Sequence, residues 1–252
     1  MIEICGLTKC YGDLTAVKDL TLTVNPGELF SLLGPNGAGK TTVLKILAGL
    51  LRPTAGTARI AGHDVLQDGQ QARAITGYLP ESPFLYEKLT GRELLGFMAD
   101  LYRLPSERAS QRAQDLLRLF DLQGVADDLI QSYSHGMRQK VALAGVLIHE
   151  PKVLILDEPT SGLDPRSARL MKDLLRELCQ RGTTILMSTH ILEIAERLSQ
   201  RIGIIHQGQL IACGTMDELR ALSRGPGSTL EDLFLQLTGG VEVEELVRYL
   251  EG

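Results

Sequence analysis

The sequence predicts an α/β protein in which a mostly parallel sheet is covered by helices on both faces. Three observations lead to this prediction. Short apolar runs typical of buried strands alternate with helical spacings along much of the chain. A glycine-rich, phosphate-binding type of loop, Gly34 to Thr42, joins an apolar run to the first helical spacing. A continuous helical stretch from Thr90 to about His149 is predicted to form an insert in that core.

The loop reads Gly-Pro-Asn-Gly-Ala-Gly-Lys-Thr-Thr and contains the spacing G-x-x-x-x-G-K-[ST]. It follows the apolar run Leu29–Leu33 and precedes a helical spacing over Thr42–Leu50, which is the strand–turn–helix context such a loop requires. Glycines let successive N–H groups point at one centre, and the helix N-terminus adds partial positive charge. We therefore predict phosphate binding by Gly34, Pro35, Asn36, Gly37, Ala38, Gly39, Lys40, Thr41 and Thr42.

Two side chains of this loop have predicted roles of their own. Lys40 should reach the β- and γ-phosphates of a nucleotide, and the Thr41 hydroxyl should hold Mg²⁺. For the motif taken alone, a glycine-rich turn with a chance lysine is the alternative interpretation.

Composition excludes several classes of function. The 252 residues carry a net charge of −5, so nothing favours a nucleic-acid partner globally. The four cysteines form no C-x-x-C pair, which favours reduced thiols over a metal cluster. The sequence shows no apolar stretch of about 18 residues and no signal-peptide pattern at the N-terminus. We therefore expect a cytosolic protein whose membrane role, if any, requires a separate membrane partner.

The first segment, up to Leu33, is predicted to consist of strands and turns. Apolar residues alternate in two stretches, at Ile2, Ile4, Leu20, Leu22 and Val24. Tyr11 is predicted in a loop over Lys9–Asp13. A second strand pattern covers Thr57–Ile60, followed by a turn at Gly62-His63-Asp64 and a strand residue at Val65. These short strands predict a small antiparallel sheet beside the phosphate-binding core.

Three helices are predicted in the insert. Thr90 and Glu93 form a capping box ahead of an apolar face comprising Leu94, Leu95, Met98 and Leu101. Pro105-Ser106 begins the second helix, whose inward residues are predicted to be Leu116, Leu117, Leu119 and Phe120. The third helix should run from about Gly136 to His149.

Beyond the insert, strand and helix patterns alternate again. Strands are predicted at Lys152–Leu156 and Thr183–Ser188, with a helix between them over Ser167–Arg181. Gln207-Gly208 is predicted to join a hairpin of Ile202–His206 and Gln209–Ala212. Three short helices follow, with a flexible joint at Gly225-Pro226-Gly227-Ser228; they are Asp217–Leu222, Leu230–Leu237 and Val241–Leu250.

Two carboxylates, Asp157 and Glu158, follow the strand at Lys152–Leu156. The carboxyl end of a strand in an α/β sheet faces the ligand crevice. We predict that Asp157 holds Mg²⁺ and that Glu158 polarises a water for in-line attack on a γ-phosphate. By itself the pair is also typical of a helix N-cap at the surface, and the phosphate-binding loop is what favours catalysis.

Taken together and in order, these motifs resemble the nucleotide-binding cassette of an ABC transporter, over about Met1 to Gly214. Where that family carries its signature, this chain has Tyr-Ser-His-Gly-Met-Arg-Gln-Lys at Tyr133–Lys140. The run Ser161-Gly162-Leu163-Asp164 resembles the family's dimer-contact loop, and Ser188-Thr189-His190 resembles its switch-histidine segment.

The resemblance implies an α/β P-loop NTPase core of the ABC ATPase type, with a small antiparallel β subdomain and a helical insert. It places the cassette at 1–217, with a helical subdomain at about 82–150, and a C-terminal helical extension at 218–252.

The resemblance also implies roles in binding ATP and Mg²⁺. His190 is expected to contact the γ-phosphate and position the attacking water. Tyr11 is expected to stack on adenine, with Val17 packing nearby, although a plain surface tyrosine is the alternative. Ser134 and Gly136 precede a helix, so that hydroxyl, N–H and dipole point one way.

In the family, that second phosphate site is completed when two cassettes pair head to tail around ATP. Asp164 of the dimer-contact loop is accordingly placed among the nucleotide-binding residues. A plain N-capped helix at Ser134 is the alternative.

Two departures from the family pattern stand out. Glu81, in Tyr78-Leu79-Pro80-Glu81, occupies the place of a Gln that touches the Mg²⁺ shell in the family. A carboxylate can also ligate Mg²⁺, but it adds charge and cannot donate a hydrogen bond. His135 and Met137 stand where Gly and Gln are common. These features, with Ser82–Tyr86, resemble the bacterial ABC-2 exporter-type branch, including Ecs-like cassettes.

The sequence therefore predicts an ATP-hydrolysing subunit that forms a homodimer and powers an integral membrane permease, with export favoured. It would be cytoplasmic and peripheral at the inner face of the cell membrane, without a nucleic-acid partner. A soluble non-transport ABC ATPase, for example of the cluster-assembly type, is the alternative. A binding-only regulatory subunit is disfavoured because Lys40, Asp157, Glu158 and His190 are all present.

Overall fold

The computed structural model describes residues 1–222 and 229–239. The strands are β1 (Ile2–Tyr11), β2 (Leu14–Val24), β3 (Leu29–Leu33), β4 (Ala55–Ile60), β5 (His63–Asp64), β6 (Thr76–Leu79), β7 (Val153–Asp157), β8 (Thr184–Thr189), β9 (Arg201–His206) and β10 (Gln209–Gly214). The helices are α1 (Lys40–Leu47), α2 (Gly69–Ala74), α3 (Gly91–Leu101), α4 (Ser106–Leu119), α5 (His135–Leu147), α6 (Pro165–Gln180), α7 (Leu192–Leu198), α8 (Met216–Leu222) and α9 (Leu230–Thr238).

The larger sheet has six strands in the order β10-β9-β3-β8-β7-β6. Every neighbouring pair is parallel except β9 and β10, which confirms the predicted mostly parallel sheet. Every residue of β3, β7 and β8 is buried, as strands covered on both faces should be. Because these strands are parallel neighbours, their carboxyl ends lie at one edge of the sheet.

The smaller sheet has four antiparallel strands in the order β2-β1-β4-β5, as predicted. Three local predictions for it are wrong. Val65, predicted as a strand residue, lies in a turn just after β5. Tyr11 is the last residue of β1 and not part of a loop. His63 and Asp64 form β5, because the turn lies one residue earlier, at Ala61 and Gly62. Those two residues have positive φ values of 50° and 83°, as a tight hairpin turn requires.

The three helices of the insert pack around a common apolar core, and the capping box of α3 is confirmed. Leu101 and Leu119, predicted to face inward, are instead 61% and 44% exposed. Leu101 is the last residue of α3, where the packed face of that helix ends. Leu119 falls outside the stripe that α4 buries, which comprises Ala109, Ala113, Leu116, Leu117 and, just beyond the helix, Phe120.

The last two strands of the larger sheet form a hairpin, and helices α8 and α9 follow it. The hairpin at Gln207-Gly208 is confirmed, with φ values of 47° and 78°. Leu219 of α8 and Leu233 of α9 pack in one cluster with Leu33 and Ile204 of the sheet. The predicted boundary between 217 and 218 falls inside α8. The predicted joint at 225–228 and the predicted helix at 241–250 lie outside the described residues.

Across residues 1–222 and 229–239, every helix is too short or too polar to cross a lipid bilayer.

The capping box of α3 provides a test of the insert. Replacing Thr90 with Ala removes the side chain that accepts from the Glu93 N–H at 3.1 Å. We expect a loss of about 1 kcal/mol in unfolding free energy, measured by urea denaturation. Thr90→Ser keeps the hydroxyl and should stay near the parent. Equal midpoints for the Ala and Ser proteins would show that the cap contributes nothing.

Candidate functional site

The loop between β3 and α1 is held by close packing as well as by its own turns. A Cβ atom on Gly34 would lie 2.3 Å from the Ile205 carbonyl oxygen, so no larger residue fits there. Gly39 has a φ of +104°, and a Cβ on it would lie 2.3 Å from the Ala16 carbonyl oxygen. Gly39 is also the N-cap of α1 and has no side chain to cap its first N–H groups. Those groups therefore remain available to an anion.

This loop forms one side of a cleft of about 320 Å³. Two carboxylates, Glu81 and Glu158, also line it, so the cleft brings together groups that are far apart in the sequence. The lining residues are Ala16, Asn36, Gly37, Ala38, Gly39, Lys40, Thr41, Thr42, Glu81 and Glu158.

Lys40 is buried at the base of the loop. Its Nζ donates to the carbonyl oxygens of Gly34 at 2.7 Å and Pro35 at 3.1 Å. It also lies 3.7 Å from Glu158 Oε1. Burial lowers the pKa of Lys40 because it removes water from the ammonium, while the charges of Glu158 and Asp157 act in the opposite direction.

Asp157 and Glu158 are held by a serine of the neighbouring strand. Asp157 pairs with Ser188 in the parallel register of β7 and β8. The Ser188 hydroxyl donates to Asp157 Oδ1 at 2.6 Å and accepts from the Glu158 N–H at 3.0 Å. Ser188 therefore orients both acidic residues, although the sequence interpretation did not count it among the site residues. Its position in the sequence, just before Thr189 and His190, could have indicated that Ser188 belongs to the site.

Glu158 is strained and lacks a hydrogen-bond donor on one oxygen. Its φ of 48° places a non-glycine residue in the left-handed region, which is uncommon and often marks functional sites. Glu158 Oε1 is buried and receives no hydrogen bond from any residue that the structure describes. His190 Nδ1 lies 2.9 Å from this oxygen without hydrogen-bond alignment. The oxygen thus lies close to Lys40 and His190 and keeps an unused capacity to accept a hydrogen bond.

The predicted metal ligands are oxygen donors around this cleft. Thr41 and Glu81 line it, and Asp157 lies beside Glu158 at the end of β7. Among the residues of 1–222 and 229–239, no three His, Cys, Asp or Glu side chains form a metal cluster by themselves. Hydroxyl and carboxylate oxygens suit Mg²⁺, which commonly binds one or two carboxylates together with substrate phosphates. The donor set therefore fits an ion that arrives with a phosphate ligand.

Tyr11 and Val17 belong to the smaller sheet. Tyr11 ends β1 and is 45% exposed, with Lys9 Nζ lying 5.1 Å from the centre of its ring. Val17 is fully buried and pairs with Lys9 across β1 and β2. The residue of β2 that reaches the cleft is Ala16, which the sequence interpretation missed. Ala16 is identified by the close approach of its carbonyl oxygen to Gly39, and that approach exists only in the folded chain.

Three predicted nucleotide-binding residues do not line the cleft in the described part of the chain: Ser134, Gly136 and Asp164. Ser134 is exposed and caps α5 by accepting from the Met137 N–H at 3.3 Å. Gly136 lies in the first turn of the same helix. Asp164 caps α6, accepting from the N–H groups of Arg166 and Ser167, each at 3.0 Å. The folded monomer thus keeps these three residues apart from the phosphate-binding loop's own cleft.

The sequence matches a family model described as "ABC transporter" over residues 17–161. It is 44% identical to a daunorubicin resistance ATP-binding protein, DrrA3, of Streptomyces coeruleorubidus, over 89% of this chain and 71% of that protein. It is 41% identical to Nod factor export ATP-binding protein I of Paraburkholderia xenovorans, covering 89% and 74% of the two chains.

The length of the matched protein varies among relatives. A probable multidrug ABC transporter ATP-binding protein of Escherichia coli, YbhF, is 38% identical over 94% of this chain. The chain spans only 41% of that protein.

Solved structures resemble the whole fold. The structure of an ATP-binding subunit of an ABC transporter superposes with a TM-score of 0.88 at 35% identity, covering 94% of this chain and 99% of that one. A dimeric ATP-binding cassette bound to ADP and phosphate has a TM-score of 0.79 at 28% identity, covering 85% and 98% of the two chains.

Ser188 provides a test of the acidic edge. Ser188→Ala removes the hydroxyl that orients Asp157, so the Mg²⁺ concentration for half-maximal nucleotide hydrolysis should rise about tenfold, as for other outer-shell partners. A titration of hydrolysis rate against Mg²⁺ measures this. Ser31→Ala is the matched control, because Ser31 is also buried in the sheet but its hydroxyl pairs with Ser199. A shift of the same size in both proteins would contradict the role of Ser188.

Proposed function

The chain belongs to the ABC transporter family, and on that premise we propose that it is the ATP-binding and ATP-hydrolysing subunit of an exporter. It would power a separate integral membrane permease. The cassette would comprise 1–217, with its helical subdomain at about 82–150, and 218–252 would be an extension.

The observation that carries this proposal is the position of Glu158 Oε1. A buried carboxylate oxygen without a donor is costly, and buried polar groups are rarely left so without a reason. Here the residue lines the same cleft as the phosphate-binding loop. A water between this oxygen and a γ-phosphate would have a general base at hand. His190, 2.9 Å from the same oxygen, would contact that water and the phosphate.

The other predicted site residues would share the binding of the nucleotide and its metal ion. Lys40 and the free N–H groups at the start of α1 would hold the β- and γ-phosphates. Thr41, Asp157 and Glu81 would hold Mg²⁺, with Ser188 orienting the aspartate. When bound, the ion supplies neutralisation of the charge on the transferred phosphoryl group. Tyr11 offers an exposed ring on which adenine can stack, while Val17 supports its strand from the core.

A second copy of the chain would complete each site. Ser134 caps α5 with an exposed hydroxyl, and together with Gly136 it presents a helix N-terminus suited to phosphate. Because these residues do not line their own chain's cleft, a head-to-tail pair would place them over the partner's nucleotide. Asp164 would lie at the contact between the two copies. The dimeric cassette among the solved relatives supports this arrangement.

The permease would contact the helical insert near Glu81. Phe84 is fully exposed and Tyr86 is 59% exposed, with the Tyr86 ring packed edge-on against Phe97 at 5.4 Å. Exposed aromatic side chains are enriched at protein interfaces. The names of the relatives, which include export and drug-resistance proteins, support export. The subunit would then be peripheral at the cytoplasmic face of the membrane, and these names favour a transporter over a non-transport ATPase.

Replacing Glu158 with Gln should leave ATP binding intact and lower turnover by about 10²-fold or more, because it removes the base. ATP should then trap a dimer, visible by size-exclusion chromatography with light scattering. Glu28→Gln is the control, since Glu28 is also buried but pairs with Arg201 away from the cleft. Near-parent hydrolysis by Glu158→Gln would contradict the assignment.

Ser134→Arg tests the shared site. In the Glu158→Gln protein, the bulky cation should block the ATP-dependent dimer while a fluorescent ATP analogue still binds the monomer. Ser110→Arg, on the exposed face of α4, is the control for adding an arginine to the insert. Mixing Ser134→Arg with Lys40→Ala, both with Glu158 intact, should partly restore hydrolysis, because one site of the mixed dimer carries neither change. A normal dimer in the Ser134→Arg protein would refute the head-to-tail arrangement.

A further inference from the structure

A short backbone pairing joins the segment before α3 to the loop before α5. Thr90 and Leu129 form an isolated antiparallel bridge. The Ile130 N–H donates to the Leu89 carbonyl at 2.9 Å, and the Gln131 N–H donates to the Glu87 carbonyl at 3.1 Å. Residues 87–90 and 129–131 are therefore held as one unit directly ahead of Ser134.

Arg138 joins this unit to helix α5. Its Nε donates to the Tyr133 carbonyl at 3.1 Å, and its Nη2 donates to the Gln131 carbonyl at 3.0 Å. Its Nη1 forms an ion pair with Glu87 Oε1 at 2.9 Å. Because a guanidinium is planar and donates in fixed directions, these contacts together define the position of the loop relative to the helix.

Helix stability does not account for an arginine at this place. Arg138 lies in the first turn of α5, where the helix dipole disfavours a cation. Its side chain is only 35% exposed, so water screens the charge incompletely. The local cost is offset by Glu87 and by two carbonyl groups that lie outside the helix. The contacts of Arg138 therefore serve the loop more than the helix.

The segment that ends at Glu87 includes two residues that the proposed function uses. It begins at Glu81, which lines the phosphate cleft. It includes Phe84, whose side chain is fully exposed. The ion pair of Glu87 and Arg138 therefore links two parts of the chain. One is the segment that contains Glu81 and Phe84, and the other is the loop at Ser134.

We propose that Arg138 is a positioning residue for the loop Tyr133–Gly136. It holds the Ser134 hydroxyl and the Gly136 N–H in the orientation that a partner's phosphate requires. Through Glu87, it makes that orientation depend on the segment Glu81–Tyr86. This inference rests on the proposed function, because it takes the loop as part of a second copy's ATP site.

The test measures ATP-dependent dimerisation in the Glu158→Gln protein, with binding of a fluorescent ATP analogue to the monomer as a second readout. Arg138→Gln should weaken dimerisation about tenfold, since it removes charge-assisted hydrogen bonds, and leave monomer binding unchanged. Arg138→Lys keeps the positive charge but lacks the planar guanidinium that donates in fixed directions, so its effect on dimerisation should be intermediate. The lysine protein also serves as the test if the glutamine protein does not fold.

A double-mutant cycle separates positioning from a merely structural contribution. Glu87→Gln alone should weaken dimerisation less than Arg138→Gln. The double variant should be no weaker than Arg138→Gln, because Glu87 acts through Arg138. Amide hydrogen exchange of residues 129–137 in the nucleotide-free protein should rise in both single variants. Effects that multiply in the double variant, or exchange that does not change, would overturn the inference.

Arg92 provides the matched control. It forms a bidentate pair with Asp127 at 2.8 and 3.0 Å in the same insert, and its side chain makes no hydrogen bond or ion pair with residues 131–136 in the described structure. Arg92→Gln should leave dimerisation unchanged, and an equal loss there would overturn the inference. Failure of the Glu158→Gln parent to dimerise with ATP would instead contradict the proposed function, while the exchange measurement would still decide the role of Arg138.

Discussion

The parallel pairing of β3, β8 and β7 is the constraint on which the rest of the site depends. It places Leu33 beside Thr189 and Asp157 beside Ser188, so that three strands end at one edge. The phosphate-binding loop leaves the first of these strands, the acidic pair ends the third, and His190 follows the second. A shift of register by one residue would turn the side chain of Asp157 to the other face of the sheet, away from Ser188.

Charge then determines what this edge can bind. One buried ammonium, that of Lys40, faces the carboxylates of Glu158, Asp157 and Glu81. Burying charge is tolerated only where partners compensate it, and here two buried carboxylates, with exposed Glu81 nearby, outnumber the ammonium of Lys40. The excess of oxygen donors favours a divalent cation together with a phosphate ligand. The strained backbone of Glu158 persists because Ser188 and the strand pairing hold it there.

The proposed second phosphate site lies on a different part of the molecule, and different contacts hold it in position. Helix α5 presents Ser134 at an exposed N-terminus, outside the cleft of its own chain. The orientation of that N-terminus relative to the preceding loop is held by the fork of Arg138. One surface is thus rigid because it is built into the sheet, and the other depends on a few polar contacts at the surface. Elements of the second kind are the ones that can move in a two-state motion.

The sequence by itself determined the elements whose signals are local. The loop spacing, the apolar strands, the helical insert, the capping box at Thr90 and the turn at Gln207-Gly208 can each be predicted from a short window. The wrong predictions, at Leu101, Leu119, Tyr11, His63 and Val65, concern where an element ends or which stripe of a helix is buried. Both depend on neighbours that periodicity does not reveal.

Only the tertiary structure decided which distant residues meet. Ser188 bridges Asp157 and Glu158 from another strand, Ile205 requires glycine at position 34, and Ala16 requires it at position 39. Arg138 of α5 reaches Glu87 in the turn before α3. A sequence pattern reports the conformation that neighbouring residues prefer, whereas these contacts join residues brought together by packing and strand register. The chemistry of the cleft could therefore be predicted from its motifs, but the residues that orient them could not.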